Sequence, residues 1–245
     1  MTLLLAQISD LHLDGTERAT RRAVRVMDRL RGLPLDALLV TGDIADHGKE
    51  DEYAEAADIL AAPFPVLTCP GNHDSRSAYR KVLLGEEPHD GPVNRVHHLP
   101  GAAVLMCDTT IPGRDEGLLD DETAAWIEAT LAALPADTRA LLAFHQPPVA
   151  VHHPLPDRIM LQRPERLAGL LGAHPEVAAV LTGHAHTAAA SVFAGRLLVV
   201  APAVTWTLRL PWEGDGVADL DQPPGVAYHV LGDDGRLTTH FRVVP

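Results

Sequence analysis

A chain of 245 residues, 46% hydrophobic and 22% charged, has the balance of an ordinary folded protein and enough material for one sizeable core, which excludes bulk disorder. Its 33 acidic against 20 basic side chains leave a formal net charge of −13, which excludes the basic footprint of a nucleic-acid-polymer binder. No apolar run approaches the roughly 20 residues of a membrane-spanning helix, and residues 1–8 show neither a basic leader nor a cleavage site. A cytoplasmic protein with Cys69 and Cys107 as reduced core thiols is therefore expected.

Residues 3–8 read as a buried strand, apolar throughout as expected when both faces are covered. Residues 16–30 place Ala19, Ala23, Val26, Met27 and Leu30 at helical spacing, with arginines opposite. A second buried strand at 36–40 enters Thr41-Gly42-Asp43, and a helix at 49–61 stops before Pro63. A third strand at 66–69 turns through Pro70-Gly71 into Asn72-His73. A short helix at 77–84 leads into a loop at 85–91. Then come a strand at 103–108, a helix at 122–134 with Trp126 on its packed face, and a strand at 140–144 that ends at His145. A helix at 163–171 and a strand at 177–181 precede Thr182-Gly183-His184.

Beyond that point the character changes. Short β-like runs at 191–193, 197–200, 204–210, 226–231 and 237–243 alternate with turn residues, and an acidic, Gly- and Pro-rich loop fills 213–225. Helix–strand alternation followed by short strands, without repeats, predicts one α/β domain over 1–245. The expected architecture is a four-layer α/β/β/α sandwich of two mixed sheets flanked by helices.

Five blocks carry the chemistry: Asp10-Leu11-His12, Gly42-Asp43, Gly71-Asn72-His73-Asp74, the isolated His145, and Gly183-His184-Ala185-His186. Each follows an apolar run. Asp10, His12, Asp43, Asn72, His145, His184 and His186 are candidate metal ligands, with His73 as a further imidazole. Oxygen and imidazole groups delivered from several strand ends are how a protein builds a two-metal hydrolytic site. Gly42, Gly71 and Gly183 let the backbone turn sharply and approach the site. Mixed Asp, His and Asn donors suit Mn, Fe, Zn or Co rather than Ca or Mg.

These blocks, in this order, resemble the calcineurin-like metallophosphoesterase superfamily from Gln7 to His186. Gln7-Ile8-Ser9-Asp10-Leu11-His12, Gly42-Asp43-Ile44-Ala45-Asp46-His47-Gly48 with Tyr53, Gly71-Asn72-His73-Asp74-Ser75-Arg76 and Asp108-Thr109-Thr110-Ile111-Pro112-Gly113 are most similar to bacterial class III cyclic-nucleotide phosphodiesterases and their glycerophosphodiesterase relatives. The resemblance implies one ion on Asp10, His12, Asp43 and His186, and a second on Asp43, Asn72, His145 and His184. Asp43 would bridge them, one carboxylate oxygen to each. It further implies in-line attack on phosphorus by a metal-bridging hydroxide, with His73 stabilising the transition state and protonating the leaving alkoxide.

Asp46 matches a position that orients this histidine in related phosphatases, an exposed loop acid being the alternative. Asp74 reads as a supporting or turn residue. His47 stands where Ser/Thr phosphatases carry an arginine, Asp46 where purple acid phosphatases carry a metal-binding tyrosine, and Gln146 where a second histidine is common.

The implied substrate is a small phosphodiester, a 3′,5′-cyclic nucleotide such as cAMP. The alternatives are broad phosphodiesterase or phosphomonoesterase action, including 2′,3′-cyclic nucleotides and glycerophosphodiesters, and a non-catalytic module that has kept the fold. Asn72, His73, Arg76 and Thr109 are the candidate substrate contacts. His152-His153 reads as an exposed loop pair, and Trp206 and Trp212 are candidates for a homodimer interface.

Overall fold

The computed structural model describes residues 2–245; Met1 lies outside the described residues. The first half runs β1 (Leu3–Ile8), α1 (Glu17–Arg31), β2 (Ala37–Thr41), α2 (Glu50–Leu60), β3 (Val66–Cys69) and the single turn α3 (Arg76–Tyr79). The middle runs β4 (Arg95–Leu99), β5 (Ala102–Met106), β6 (Gly117–Leu118), α4 (Asp121–Ala132), β7 (Arg139–Ala143), β8 (Leu161–Gln162), α5 (Pro164–Ala173), β9 (Val177–Thr182), β10 (Ala189–Phe193) and β11 (Arg196–Val200). Four strands close the chain: β12 (Thr207–Leu208), β13 (Ala218–Asp219), β14 (Gly225–Leu231) and β15 (Leu237–Val243).

Two mixed sheets result, ordered β15-β14-β1-β2-β3 and β10-β11-β9-β7-β5-β4. β1, β2 and β3 are parallel, as are β5, β7, β9 and β11, while the outer strands pair antiparallel. Successive side chains of a strand point to opposite faces, so each strand feeds two cores. Leu38 and Val40 pack with Val26, Met27 and Leu30 of α1 and with Tyr53 and Ile59 of α2. Their neighbours Ala37 and Leu39 meet Val104, Met106, Leu141 and Leu181 between the sheets. Leu105 and Leu142 face outward onto Ile127 of α4 and Leu167 and Leu171 of α5. Three apolar layers thus separate four layers of secondary structure, the sandwich expected from sequence.

The helices begin and end for local reasons. The Thr16 hydroxyl accepts from the Ala19 N–H at the start of α1, and Asp120 does the same for Thr123 ahead of α4. Arg18 and Arg22 do not simply face solvent: they donate to the carbonyls of Thr205, Leu220, Val204 and Gln222, holding the 204–222 excursion against α1. The segment expected as a helix at 77–84 is α3 followed by a π-turn at Arg80–Leu84, ended by Gly85 at φ +64.

The run at 204–210 forms only the two-residue β12. The preceding backbone pairs elsewhere, Val204 N–H with Ser9 O and Thr205 N–H with Asp10 O. β4, with His97 and His98, lacked an apolar pattern and was not anticipated. Among the described residues no helix is long and apolar enough to cross a membrane.

Candidate metal centre

The crevice at the carboxyl ends of the parallel strands is where open α/β sheets place their sites. β1 delivers Asp10 and His12, β2 Asp43, β3 Asn72 and His73, β7 His145, and β9 His184 and His186. The turns that do this are strained. Among the described residues eight non-glycine residues have positive φ, and five of them are Asp10, His12, Asp43, His184 and His186. Each such conformation costs about 1–3 kcal/mol and persists only where the surrounding structure enforces it.

Here the enforcement is hydrogen bonding: Asp10 N–H donates to Gly42 O at 3.1 Å, His12 N–H to Asp43 O at 2.9 Å, and His184 N–H to Asp10 Oδ1 at 3.1 Å. Gly42 (φ +88) is a second constraint, since a Cβ there would lie 2.5 Å from His145 Nδ1. At Gly183 a Cβ would run into the Ser9 hydroxyl. The close approach expected at these glycines is present.

Two clusters form. In the first, His12 Nδ1 donates to Asp46 Oδ1 at 2.8 Å and His186 Nδ1 donates to Trp206 O at 3.1 Å. Both rings therefore turn Nε2 inward, 3.1 Å apart, with Asp10 Oδ1 3.5 Å from His186 Nε2. In the second, His145 Nδ1 donates to Thr41 O at 2.7 Å and turns its Nε2 to within 3.2 Å of both Asp43 Oδ2 and His184 Nδ1.

Asp43 joins the clusters through a single oxygen. Its Oδ1 accepts the His73 N–H at 2.9 Å, and Oδ2 lies 3.2 Å from His145 Nε2 and 3.5 Å from His12 Nε2.

These residues fit divalent metal ions. The ligand atoms of Asp10, His12 and His186, and those of Asp43, His145 and His184, lie within 4.8 Å of one another in each group. Facing imidazole lone pairs at 3.1–3.2 Å need a proton or a cation between them. The Oδ1 of Asn72 is buried beside them without a hydrogen-bond donor, and a cation satisfies it as well.

The protonation balance shows the same demand. Burial pushes the Asp10 carboxyl up to about 6 against the pull of His145. Burial opposes charge on His145 too, but Asp43 beside it holds the ring up to about 9. His184 is pushed down to about 3 by burial and by His145. Such divergent groups at a few ångströms mark a site built to exchange protons for metal.

Asp46 reaches both His73 and His12. Its carboxylate sits 2.8 Å from His12 Nδ1 and 3.6 Å from His73 Nδ1, and the hydrogen bond from His12 holds it below the usual carboxylate range. What His73 donates to is the Asp46 backbone carbonyl, at 2.8 Å, which leaves Nε2 for the cleft. Asp46 thus orients the candidate ligand His12, in the carboxylate–histidine pairing that fixes the tautomer of metal-binding histidines. Asp74 is the supporting residue expected, taking N–H groups from Ile44, Ala45 and Gly71 and the Tyr53 hydroxyl.

Not every candidate is brought to the centre. Thr109 is buried with its hydroxyl on Gln146, 2.7 Å away. Arg76 lines a neighbouring cleft with Nε 2.8 Å from Asp108, and its terminal nitrogens donate to Asp90 O and Thr110 O. His153, read as exposed, is buried and accepts from the Leu155 N–H; His152 is exposed.

Trp206 is not a free interface residue, since its ring stacks on His186 at 3.8 Å; Trp212 is 71% exposed. His229 was missed altogether. Buried in β14, it donates from Nε2 to Gln7 Oε1 at 3.0 Å and accepts the Thr239 hydroxyl at Nδ1. The Gln7 amide then ties Thr41 to Thr182, the residues that end β2 and β9. The one signal in sequence was a polar His inside an apolar run.

The family model for calcineurin-like phosphoesterases matches residues 3–188. The chain is 36% identical over 237 residues to a probable cyclic nucleotide phosphodiesterase of Rhodococcus erythropolis, covering 90% of this chain and 77% of the relative. It is 28% identical over 259 residues to a probable glycerophosphodiester phosphodiesterase of Arcobacter nitrofigilis, covering 97% and 92%. The fold matches that of a dimetal phosphatase from Danio rerio with a TM-score of 0.69 at 15% identity, covering 99% of each chain. The chain therefore belongs to the calcineurin-like phosphoesterase family and is a metal-dependent phosphodiesterase.

Proposed function

We propose that the protein hydrolyses small phosphodiesters, 3′,5′-cyclic nucleotides such as cAMP among them. The observation that carries the reading is the meeting of two ligand clusters on Asp43 Oδ2 directly beside His73. Asp10, His12, Asp43 and His186 would hold one ion, and Asp43, Asn72, His145 and His184 the other. The donor set suits Mn, Fe, Zn or Co. Bound there, the ions supply Lewis acidity toward a phosphoryl oxygen and make hydroxide available near neutral pH.

The chain's own groups do the rest. Asn72 and His73 line the cleft beside the candidate ligands. The hydrogen bond from Nδ1–H to Asp46 O points Nε2 of His73 at the cleft, so that the imidazolium, carrying its second proton there, would stabilise charge building on the phosphoryl group and pass that proton to the departing alkoxide. Asp46 and Trp206 O hold the His12 and His186 rings, and Thr41 O holds His145, so reacting groups meet a preset frame.

The similarity to a cyclic nucleotide phosphodiesterase supports the cyclic substrate, and the similarity to a glycerophosphodiesterase supports action on open-chain diesters. The test is turnover by Mn-loaded enzyme on cAMP, glycerophosphoethanolamine, bis(p-nitrophenyl) phosphate and the p-nitrophenyl monoester. The expected result is diester cleavage well above the monoester. Monoester hydrolysis alone overturns the reading.

A further inference from the structure

Two unlike clefts meet at Asn72 and His73. The first, about 370 Å³, is floored by His12, Asp43, His184 and His186 and walled beyond them by Leu155, Pro156, Ile159, Trp206 and Leu208, with Asp46 and Asp115 as its added acids. The second, about 320 Å³, is walled by Ser75, Arg76, Asp90 and Thr110 through Gly113.

The first wall is apolar, aromatic and preformed. Trp206 is fixed by its stack on His186, with rings 27° apart. The segment carrying Leu155 is pinned by Val151 N–H on Asp157 Oδ1, by Leu155 N–H on His153 Nδ1, and by a 3-10 turn at Pro156–Arg158. Leu155 itself is 46% exposed, a large apolar side chain held out over the cleft without a partner to cover it. Such a surface gains most from a flat apolar group.

The second cleft is polar, yet its cation is spent. The Arg76 guanidinium is neutralised by Asp108 and bound to the Asp90 and Thr110 carbonyls. With Asp90 beside it, this cleft offers nothing to an anionic arm and several polar atoms to an uncharged, hydroxylated one.

We propose that the wall formed by Leu155, Ile159 and Trp206 is a subsite for a planar base or aryl group, the polar Arg76 cleft offering such a group no matching surface. This rests on the phosphodiesterase reading and narrows its substrate class to diesters bearing a nucleoside or aryl group. Glycerophosphoethanolamine, with no ring to lay on that wall, becomes the disfavoured diester.

The test compares wild type, Leu155→Asn and Leu155→Met, all Mn-loaded, on cAMP and glycerophosphoethanolamine. Binding of adenosine 5′-monophosphate is measured alongside by calorimetry. In Leu155→Asn, kcat/KM for cAMP relative to glycerophosphoethanolamine is expected to fall about tenfold, through KM, and nucleotide affinity to fall by a similar factor; Leu155→Met restores both. Equal losses on both substrates, or no loss of nucleotide affinity, overturn the subsite. Wild type that cleaves no diester, while Leu155→Asn still weakens nucleotide binding, would fail the phosphodiesterase reading and leave the subsite standing.

Discussion

The two halves of the metal centre are held in different ways. His145 is wholly buried, and its ring is fixed by a backbone carbonyl at the end of β2, Thr41 O, which strand pairing already immobilises. His12 is fixed by the carboxylate of Asp46, a loop side chain about 30% exposed, and His186 by a carbonyl in the irregular stretch after Ala203. One position is built into the sheets and the other is assembled from loops above them. The contrast teaches that the inner position is set when the sandwich folds, whereas the outer one depends on a few replaceable contacts.

The comparison breaks first at His145. Its replacement by alanine removes the donor that faces both Asp43 and His184, so loss of the inner ion and at least a ~10³-fold fall in kcat are expected. Metal content by mass spectrometry and diester turnover check both; an enzyme that keeps two ions refutes the assignment.

Asp46→Asn sharpens the contrast. It removes the charge that orients His12 and should weaken the outer ion by roughly 10–100-fold while the inner ion stays, as read by metal titration. Equal weakening of both would mean that the positions are not independent.

Two further predictions probe the buried side. Gln7→Leu leaves the His229 Nε2–H and the Thr41 hydroxyl without their partner, for a loss of about 1–3 kcal/mol in denaturant unfolding. His229 itself is pushed down to about 3 by burial. Between pH 6.5 and that value the unfolded chain binds a proton that the native chain refuses, so stability falls as pH falls through this window. The contribution is about 1.4 kcal/mol per pH unit. A His229→Gln variant should show a shallower slope by that amount, and identical slopes would exclude the effect. The smallest effect belongs to Trp212, which faces solvent: Trp212→Ser should leave unfolding within about 0.5 kcal/mol.

Much of this was legible in the residues. Continuous apolar runs gave β1, β2, β3, β7 and β9 nearly to the residue, because strands covered on both faces have no polar side to confuse the pattern. The seven candidate ligands were visible because each follows such a strand; six of them meet in two clusters, and Asn72 lines the adjoining cleft. The pairing of Asp46 with His73 was legible but its form was not, because sequence spacing cannot tell a carboxylate from the carbonyl of the same residue: His73 donates to the latter and His12 to the former. The stack of Trp206 on His186 was not legible because nothing local shows that Val204 and Thr205 fold back against Ser9 and Asp10. Arg76 and Thr109 looked like free donors because their partners, Asp108 and Gln146, are far away in sequence or assigned no contact there.

The central claim is that two cations share Asp43 between unlike pockets of ligands. Anomalous diffraction from manganese-soaked crystals, collected at the metal edge, tests it most directly. Two peaks are predicted, one among Asp10, His12 and His186 and one among Asn72, His145 and His184, with Asp43 between them. A single peak, or none within ligand distance of Asp43, would contradict the account.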